Sequence, residues 1–229
     1  MIFVGIAGWS LDAKAKPMFG EGASHLARYA TRFSAVEINS SFYRPHRVAT
    51  YRRWAASVPR EFRFAVKLPR AITHQARLKG CETALGAFQE QIAGLGDKLG
   101  PVLIQLPPSL SFEVLVAEKF LRAMRARFDG ALALEPRHPS WSETEAMSLL
   151  RQFRVVQVEA DPAPIPNTGA YDGFRYVRWH GSPLMYRSSY DDAALNALAR
   201  KLRDGDWCIF DNTAEGAAIR NGLALRKLL

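Results

Sequence analysis

At 229 residues, 48% hydrophobic and 23% charged, the chain suits one globular domain over residues 1–229 with room for a sizeable core. No apolar run reaches the ~20 residues of a membrane span, and Cys81 and Cys208 lie outside any C-x-x-C or zinc spacing, so the expectation is a cytoplasmic protein with reduced thiols and no disulfide framework. Formal net charge is +9 and unevenly spread: residues 1–80 hold 14 Lys/Arg against 4 Asp/Glu, residues 81–229 hold 17 against 18, a basic first third that favours anionic partners, nucleic acid among them.

Phe3–Gly8 reads as the first strand rather than a signal peptide, since no basic n-region precedes it. A helix near Ala23–Arg32 follows, with Ser24 as its cap. Ala35–Ile38 is strand two, and it ends among Glu37, Asn39, Ser40, Phe42 and Tyr43. Val48–Val58 is helical, with Tyr51, Trp54 and Ala55 on one stripe. Phe62–Val66 is strand three, and Lys67 precedes Leu68-Pro69. Leu85, Phe88, Ile92 and Leu95 recur at helical spacing, with Gly96 and Gly100 closing that helix.

Pro101–Ile104 is strand four, ending in Gln105-Leu-Pro-Pro108, and Phe112–Arg127 is the next helix. Ala131–Leu134 is a buried strand that Glu135 ends, because Pro136 offers no N–H to a ladder and holds the residue before it extended. Arg137, His138 and Trp141 follow in one turn. Ser142-Glu-Thr-Glu145 reads as a capping box opening a helix over Thr144–Gln152. Val155–Val158 is strand six, followed by Asp161. Three prolines and a glycine between Pro162 and Asp172 predict a long loop in place of helix six. Phe174–Trp179 is strand seven, ending in Arg178, His180 and Gly181. Leu195, Leu198 and Leu202 mark helix seven, started by Asp191 or Asp192. Trp207–Phe210 is strand eight, and Asp211, Asn212 and Thr213 lead into a last helix over Ala214–Leu228.

Eight apolar strands alternating with helices predict an α/β fold, a TIM (β/α)8-like closed parallel barrel lacking helix six. An open doubly wound sheet is the alternative, but the first turn lacks the Gly-x-Gly-x-x-Gly of dinucleotide binders. In a barrel the polar strand ends converge on one mouth.

Gly5-Ile-Ala-Gly-Trp9, Val36-Glu-Ile-Asn-Ser-Ser-Phe-Tyr43, Phe64-Ala-Val-Lys67, Gln105-Leu-Pro-Pro108, Glu135-Pro-Arg-His138, Arg178-Trp-His-Gly181 and Phe210-Asp-Asn212 occur in this order over nearly the whole chain. Together they resemble the YecE-like family, domain of unknown function 72. The resemblance implies a TIM barrel and implies no reaction.

Function therefore has to come from the residues at the mouth. Glu37, Glu135, His138 and Asp161 are the candidates for proton transfer. Lys67, Gln105, Arg137, Arg178, His180, Asp211 and Asn212 are the candidates for holding a ligand. These types predict acid/base chemistry, hydrolytic or lyase-like, on a phosphorylated or otherwise anionic small molecule. Arg178 and His180 with Asn212 and the start of the last helix form one expected anion site. No cofactor is expected. Glu37, Glu135, Asp161, His180 and Asp211 are nonetheless ligands a divalent metal would use, which leaves a metal-dependent phosphoesterase as an alternative. A noncatalytic nucleic-acid-associated protein is the other. Trp9, Phe42, Tyr43, Trp141 and Tyr186 flank the strand ends, and the simpler reading is that they roof the barrel.

Overall fold

Short apolar runs bounded by Gly, Pro and charged residues make strands, and amphipathic runs between them make the helices that cover those strands. The computed structural model of the chain describes residues 1–166 and 173–229. In chain order its elements are β1 (Phe3–Ile6), α1 (His25–Tyr29), β2 (Ala35–Ile38), α2 (Ser40–Tyr43), α3 (Val48–Ala56), β3 (Arg63–Lys67), α4 (Glu82–Ile92), β4 (Leu99–Gln105), α5 (Val114–Arg125) and β5 (Leu132–Glu135). There follow α6 (Thr144–Gln152), β6 (Val155–Gln157), β7 (Glu159–Asp161), β8 (Tyr176–Trp179), α7 (Asp192–Ala199), β9 (Trp207–Phe210) and α8 (Ala217–Leu228).

Every ladder among the described residues is parallel. One sheet runs β2-β3-β4-β5-β6 and the other β1-β9-β8-β7. The two come together at two places. Between β6 and β7 only Val158 intervenes, and its N–H donates to Leu134 of β5 at 2.9 Å. Between β1 and β2 side chains replace the ladder. The Tyr29 hydroxyl accepts from Ile6 N–H at 2.9 Å and donates to the Ala35 carbonyl at 2.8 Å. Gly5 permits this approach, since a Cβ there would lie 2.3 Å from the Ala35 oxygen. At their far ends Ala7 and Glu37 bridge directly, with Gly8 N–H donating to Glu37 O at 2.9 Å.

Tyr29 is fully buried, and its hydroxyl satisfies two backbone groups that no strand partner reaches. Tyr29→Phe is expected to leave both unpaired and to cost roughly 2–4 kcal/mol, read as a lowered urea midpoint at unchanged slope. A loss under about 0.5 kcal/mol would mean that the seam holds without it.

Two apolar clusters follow from strand alternation. The larger lies between strands and helices and includes Leu85, Phe88, Phe120, Leu121 and Leu150. The smaller gathers Ala35, Ala65, Leu103, Ala133, Val156, Tyr176, Trp207 and Ile209, one or two from each of seven of the nine described strands and all on the face away from the helices.

Several expectations change. The sixth strand is split between the two sheets rather than continuous. Helix α6 has the predicted bounds but no capping box. Ser142 belongs to a 3₁₀ turn, Pro139–Ser142, and its hydroxyl donates to Pro139 O at 2.7 Å instead of capping the helix. Helix α8 begins at Ala217, because Gly216 before it is left-handed at φ 74° and no helix passes through it. Ser24 and Asp191 cap α1 and α7 as expected. No helix appears between β7 and β8 among the described residues, while 167–172 of the expected loop lie outside them. No helix among the described residues is long and apolar enough to cross a membrane.

Candidate active site at the strand ends

Side chains two apart on a strand share a face, so each inner apolar residue fixes the aim of the residue two positions on. Ala35 carries Glu37 to the inner face, Ala65 carries Lys67, Leu103 carries Gln105, Ala133 carries Glu135, Tyr176 carries Arg178 and Ile209 carries Asp211. Register agrees: Gln105 pairs with Glu135, Glu37 with Ala65, Lys67 with Leu103 and Arg178 with Ile209. Six polar residues at or just past the ends of six strands thus stack directly above the smaller apolar cluster.

Arg178 is the hub, 0% exposed. Its Nε and Nη2 donate to the two oxygens of Glu37 at 3.0 and 2.8 Å. Nη1 donates to Glu135 Oε2, and Nη2 also reaches Asp211 Oδ2 at 3.0 Å. Four of its five N–H groups are therefore used on three carboxylates. The Tyr176 hydroxyl donates to Glu37 Oε2 at 2.9 Å. Arg137 donates from Nε and Nη2 to Glu135 Oε1 at 3.1 and 2.8 Å. His180 holds Asp211 Oδ2 at 3.0 Å through Nδ1 and stands 3.2 Å from Glu135 Oε1 through Nε2, off the line of a hydrogen bond.

Burial alone would raise Glu135 and Asp211. Arg178 first, and His180 after it, outweigh burial and hold both carboxyls below their usual range, Glu135 well below. Both stay ionised at neutral pH and cannot serve as acids there. Burial pulls His180 down, but its hydrogen bond to Asp211 and the nearby Glu135 carboxylate leave it raised. That shift favours its protonated form.

Lys67 differs from the rest. It is 8% exposed. Among the described residues its Nζ has neither a hydrogen bond nor a carboxylate within ion-pair distance, and it lies 4.2 Å from the ring centre of Phe42. Burial, and next the positive charge of Arg178, lower its pKa to about 8, against the pull of Glu37, Glu135 and Asp211. The three carboxylates already have Arg178, Arg137 and His180 in contact, so Lys67 is a surplus cation.

Other expected residues fall elsewhere, and alternation explains two of them. Ala160, not Asp161, pairs with Arg178, so Asp161 shares the face of Trp179. The Tyr190 hydroxyl lies 2.9 Å from both Asp161 O and Oδ1, which makes Asp161 a loop anchor rather than a member of the charge cluster. Asn212 follows the inward Asp211 and turns outward. Its Nδ2 donates to Ser188 O at 2.8 Å and to Asn221 Oδ1 of α8 at 2.9 Å. His138 accepts from Ser140 N–H at 3.3 Å and caps the 3₁₀ turn. Gln105 ends β4 beside Glu135 and makes no side-chain hydrogen bond among the described residues.

The donors expected to make an anion site, Arg178, Asn212 and the start of the last helix, are engaged within the chain. Four of the five N–H groups of Arg178 are taken by carboxylates, Arg187 pairs with Glu215 at 2.6 Å, and the helix starts late. Nor are three His, Cys, Asp or Glu side chains arranged to hold a metal among the described residues, because the carboxylate oxygens turn to the guanidinium instead. Tyr176, Tyr190 and Asn221 escaped sequence reasoning. Tyr176 had a signal, since it lies two residues before Arg178 on the same face. Trp9 and Trp141 pack as roofing, with Trp141 Nε1 donating to Leu110 O at 2.9 Å, whereas Tyr43 is 72% exposed.

The family model described as protein of unknown function DUF72 matches residues 3–229. The UPF0759 protein YecE of Escherichia coli K12 is 30% identical over 171 residues, 72% of this chain and 61% of YecE, so the alignment spans about three-fifths of that relative. A DUF72 family protein of Thermotoga maritima MSB8, solved at 2.20 Å, superposes with a TM-score of 0.82 at 25% identity, covering 100% of this chain and 98% of that one. A 3-keto-D-glucoside 4-epimerase of Escherichia coli, YcjR, superposes with a TM-score of 0.54 at 13% identity, over 99% of this chain and 98% of that one.

Proposed function

This chain belongs to the DUF72 family, and on that premise we propose an enzyme that binds an anionic small molecule at the carboxyl ends of its strands and moves protons there. Its two sheets act as one closed (β/α)8-like barrel, a reading supported by the Ala7–Glu37 bridge and the single residue between β6 and β7. The strand ends are where such barrels do their chemistry. YcjR, an enzyme, shares the chain path, and at 13% identity that likeness is one of fold.

Lys67 carries the proposal. A buried charge with no carboxylate in direct contact is costly, and a surplus cation beside carboxylates already paired to Arg178, Arg137 and His180 is relieved by an anionic ligand. Arg137, with Nη1 outside its pair to Glu135, is a second donor for that ligand. His180 supplies a proton, and Asp211 and Glu135 favour its charged form and orient it. Association with nucleic acid and metal-dependent phosphoester hydrolysis have no geometric observation among the described residues that favours them.

Inorganic phosphate is the probe. It is expected to raise the melting temperature of the wild type, by about 2.7 kcal/mol of stability at one hundred times its dissociation constant. The rise should be at least halved in Lys67→Met. Equal rises in the two proteins, or none in either, would refute the anion site.

A further inference from the structure

We propose that Lys67 is a nucleophile that condenses with the carbonyl group of its anionic substrate, so that the site acts on short oxo-acids or phosphorylated aldoses and ketoses. This deepens the anion-binding proposal and rests on it. An amine can attack carbon only when its lone pair is free of a proton and of hydrogen bonds. The chain's ordinary lysines are tied or solvated. Lys98 donates to Ala55 O and Val58 O at 2.7 and 2.6 Å, Lys79 faces Glu113 at 3.4 Å, and Lys119 faces Glu82 at 3.4 Å. Lys67 has no such partner among the described residues, and the Phe42 ring lies against it. Its lowered pKa, about 8, leaves a working fraction unprotonated near neutrality, which an exposed lysine lacks.

The step balances without an added reagent. The neutral nitrogen bonds to the carbonyl carbon, and the carbonyl pair moves to oxygen. His180, paired to Asp211 through Nδ1 with Nε2 free of a hydrogen bond, gives oxygen a proton and recovers one from nitrogen. His180 returns that proton to the new hydroxyl as the C–O bond breaks and water leaves, and the proton first shed by the ammonium restores His180. Ammonium plus carbonyl becomes iminium plus water, so the surplus positive charge persists and the substrate's carboxylate or phosphate stays bound. The iminium draws electrons from the neighbouring carbon and labilises a proton or a carbon–carbon bond there.

The test is reductive trapping of the full chain at neutral pH with pyruvate and, in parallel, dihydroxyacetone phosphate, each with sodium borohydride. One adduct per chain is expected with at least one compound, as a secondary amine that peptide mapping places on Lys67. Lys67→Arg should still be stabilised by inorganic phosphate but take no adduct. Should that variant fail to fold, the mapped position in the wild type decides alone. No adduct with either compound, or adducts spread evenly over exposed lysines such as Lys14 and Lys119, would overturn the nucleophile. If phosphate still stabilises the wild type in that case, the anion site stands and only the imine is lost. If phosphate does not stabilise it, the anion site falls as well.

Discussion

Arg178→Met is expected to be among the most destabilising single substitutions in this protein, by about 3–5 kcal/mol or more. Its guanidinium is fully buried and joins Glu37, Glu135 and Asp211. Removing it leaves three carboxylates around one vacated position, with Arg137 and His180 reaching only two of them. In a domain of ordinary stability, ~5–15 kcal/mol in all, that is a large share. The pH dependence should also invert. In the wild type Glu135 and Asp211 have lowered folded pKa values, so they stabilise above their unfolded values and this contribution is lost as pH falls through the folded ones. Without Arg178, desolvation dominates and raises their folded values, so the variant should gain stability on acidification while the wild type loses it. Urea unfolding of both proteins from neutral pH to below the unfolded carboxyl values, 4.5 for Glu135 and 3.8 for Asp211, measures this, and parallel curves would sink the hub role of Arg178.

The strand ends were legible because each strand is a short apolar run closed by a distinctive residue. Pro136 alone places Glu135, and Trp207–Phe210 and Ala35–Ile38 are strands to the residue. Parity along those strands was equally available and would have set Asp161 and Asn212 apart from the charge cluster, since each stands one position out of step with an inward neighbour. What could not be read is who takes whom. Arg178 meets Glu37 across 141 residues, Glu135 across 43 and Asp211 across 33, and nothing local to any of them encodes the choice. The break between β6 and β7 was hidden because Val155–Val158 is as apolar as an unbroken strand would be. Helix α2 is too short to show a period, and Ser40–Tyr43 resembles a loop until it packs Phe42 against Lys67. That Lys67 is left over is a result of competition: one guanidinium with five donors engages three carboxylates before an ammonium can.

The consequence with the opposite sign concerns that leftover amine. Lys67→Met is expected to be more stable than the wild type at pH 7, by up to about 3 kcal/mol, because a pKa lowered from 10.5 to about 8 corresponds to a charging cost of that order for the buried amine. The sign follows from proton binding. Between pH 8 and 10.5 the unfolded chain holds a proton at Lys67 that the folded chain does not, so wild-type stability rises through this window and the variant's advantage fades across it. Methionine fills nearly the same volume and keeps a favourable sulfur contact with Phe42. Urea unfolding at pH 7 and pH 10 reads both effects. A variant less stable than the wild type at pH 7 would mean that the ammonium has stabilising contacts inside the site, and the surplus-cation argument would fail. If the gain appears, the chain carries at its strand ends an amine that weakens its own fold. Such a group is the expected mark of a site shaped for a ligand rather than for stability.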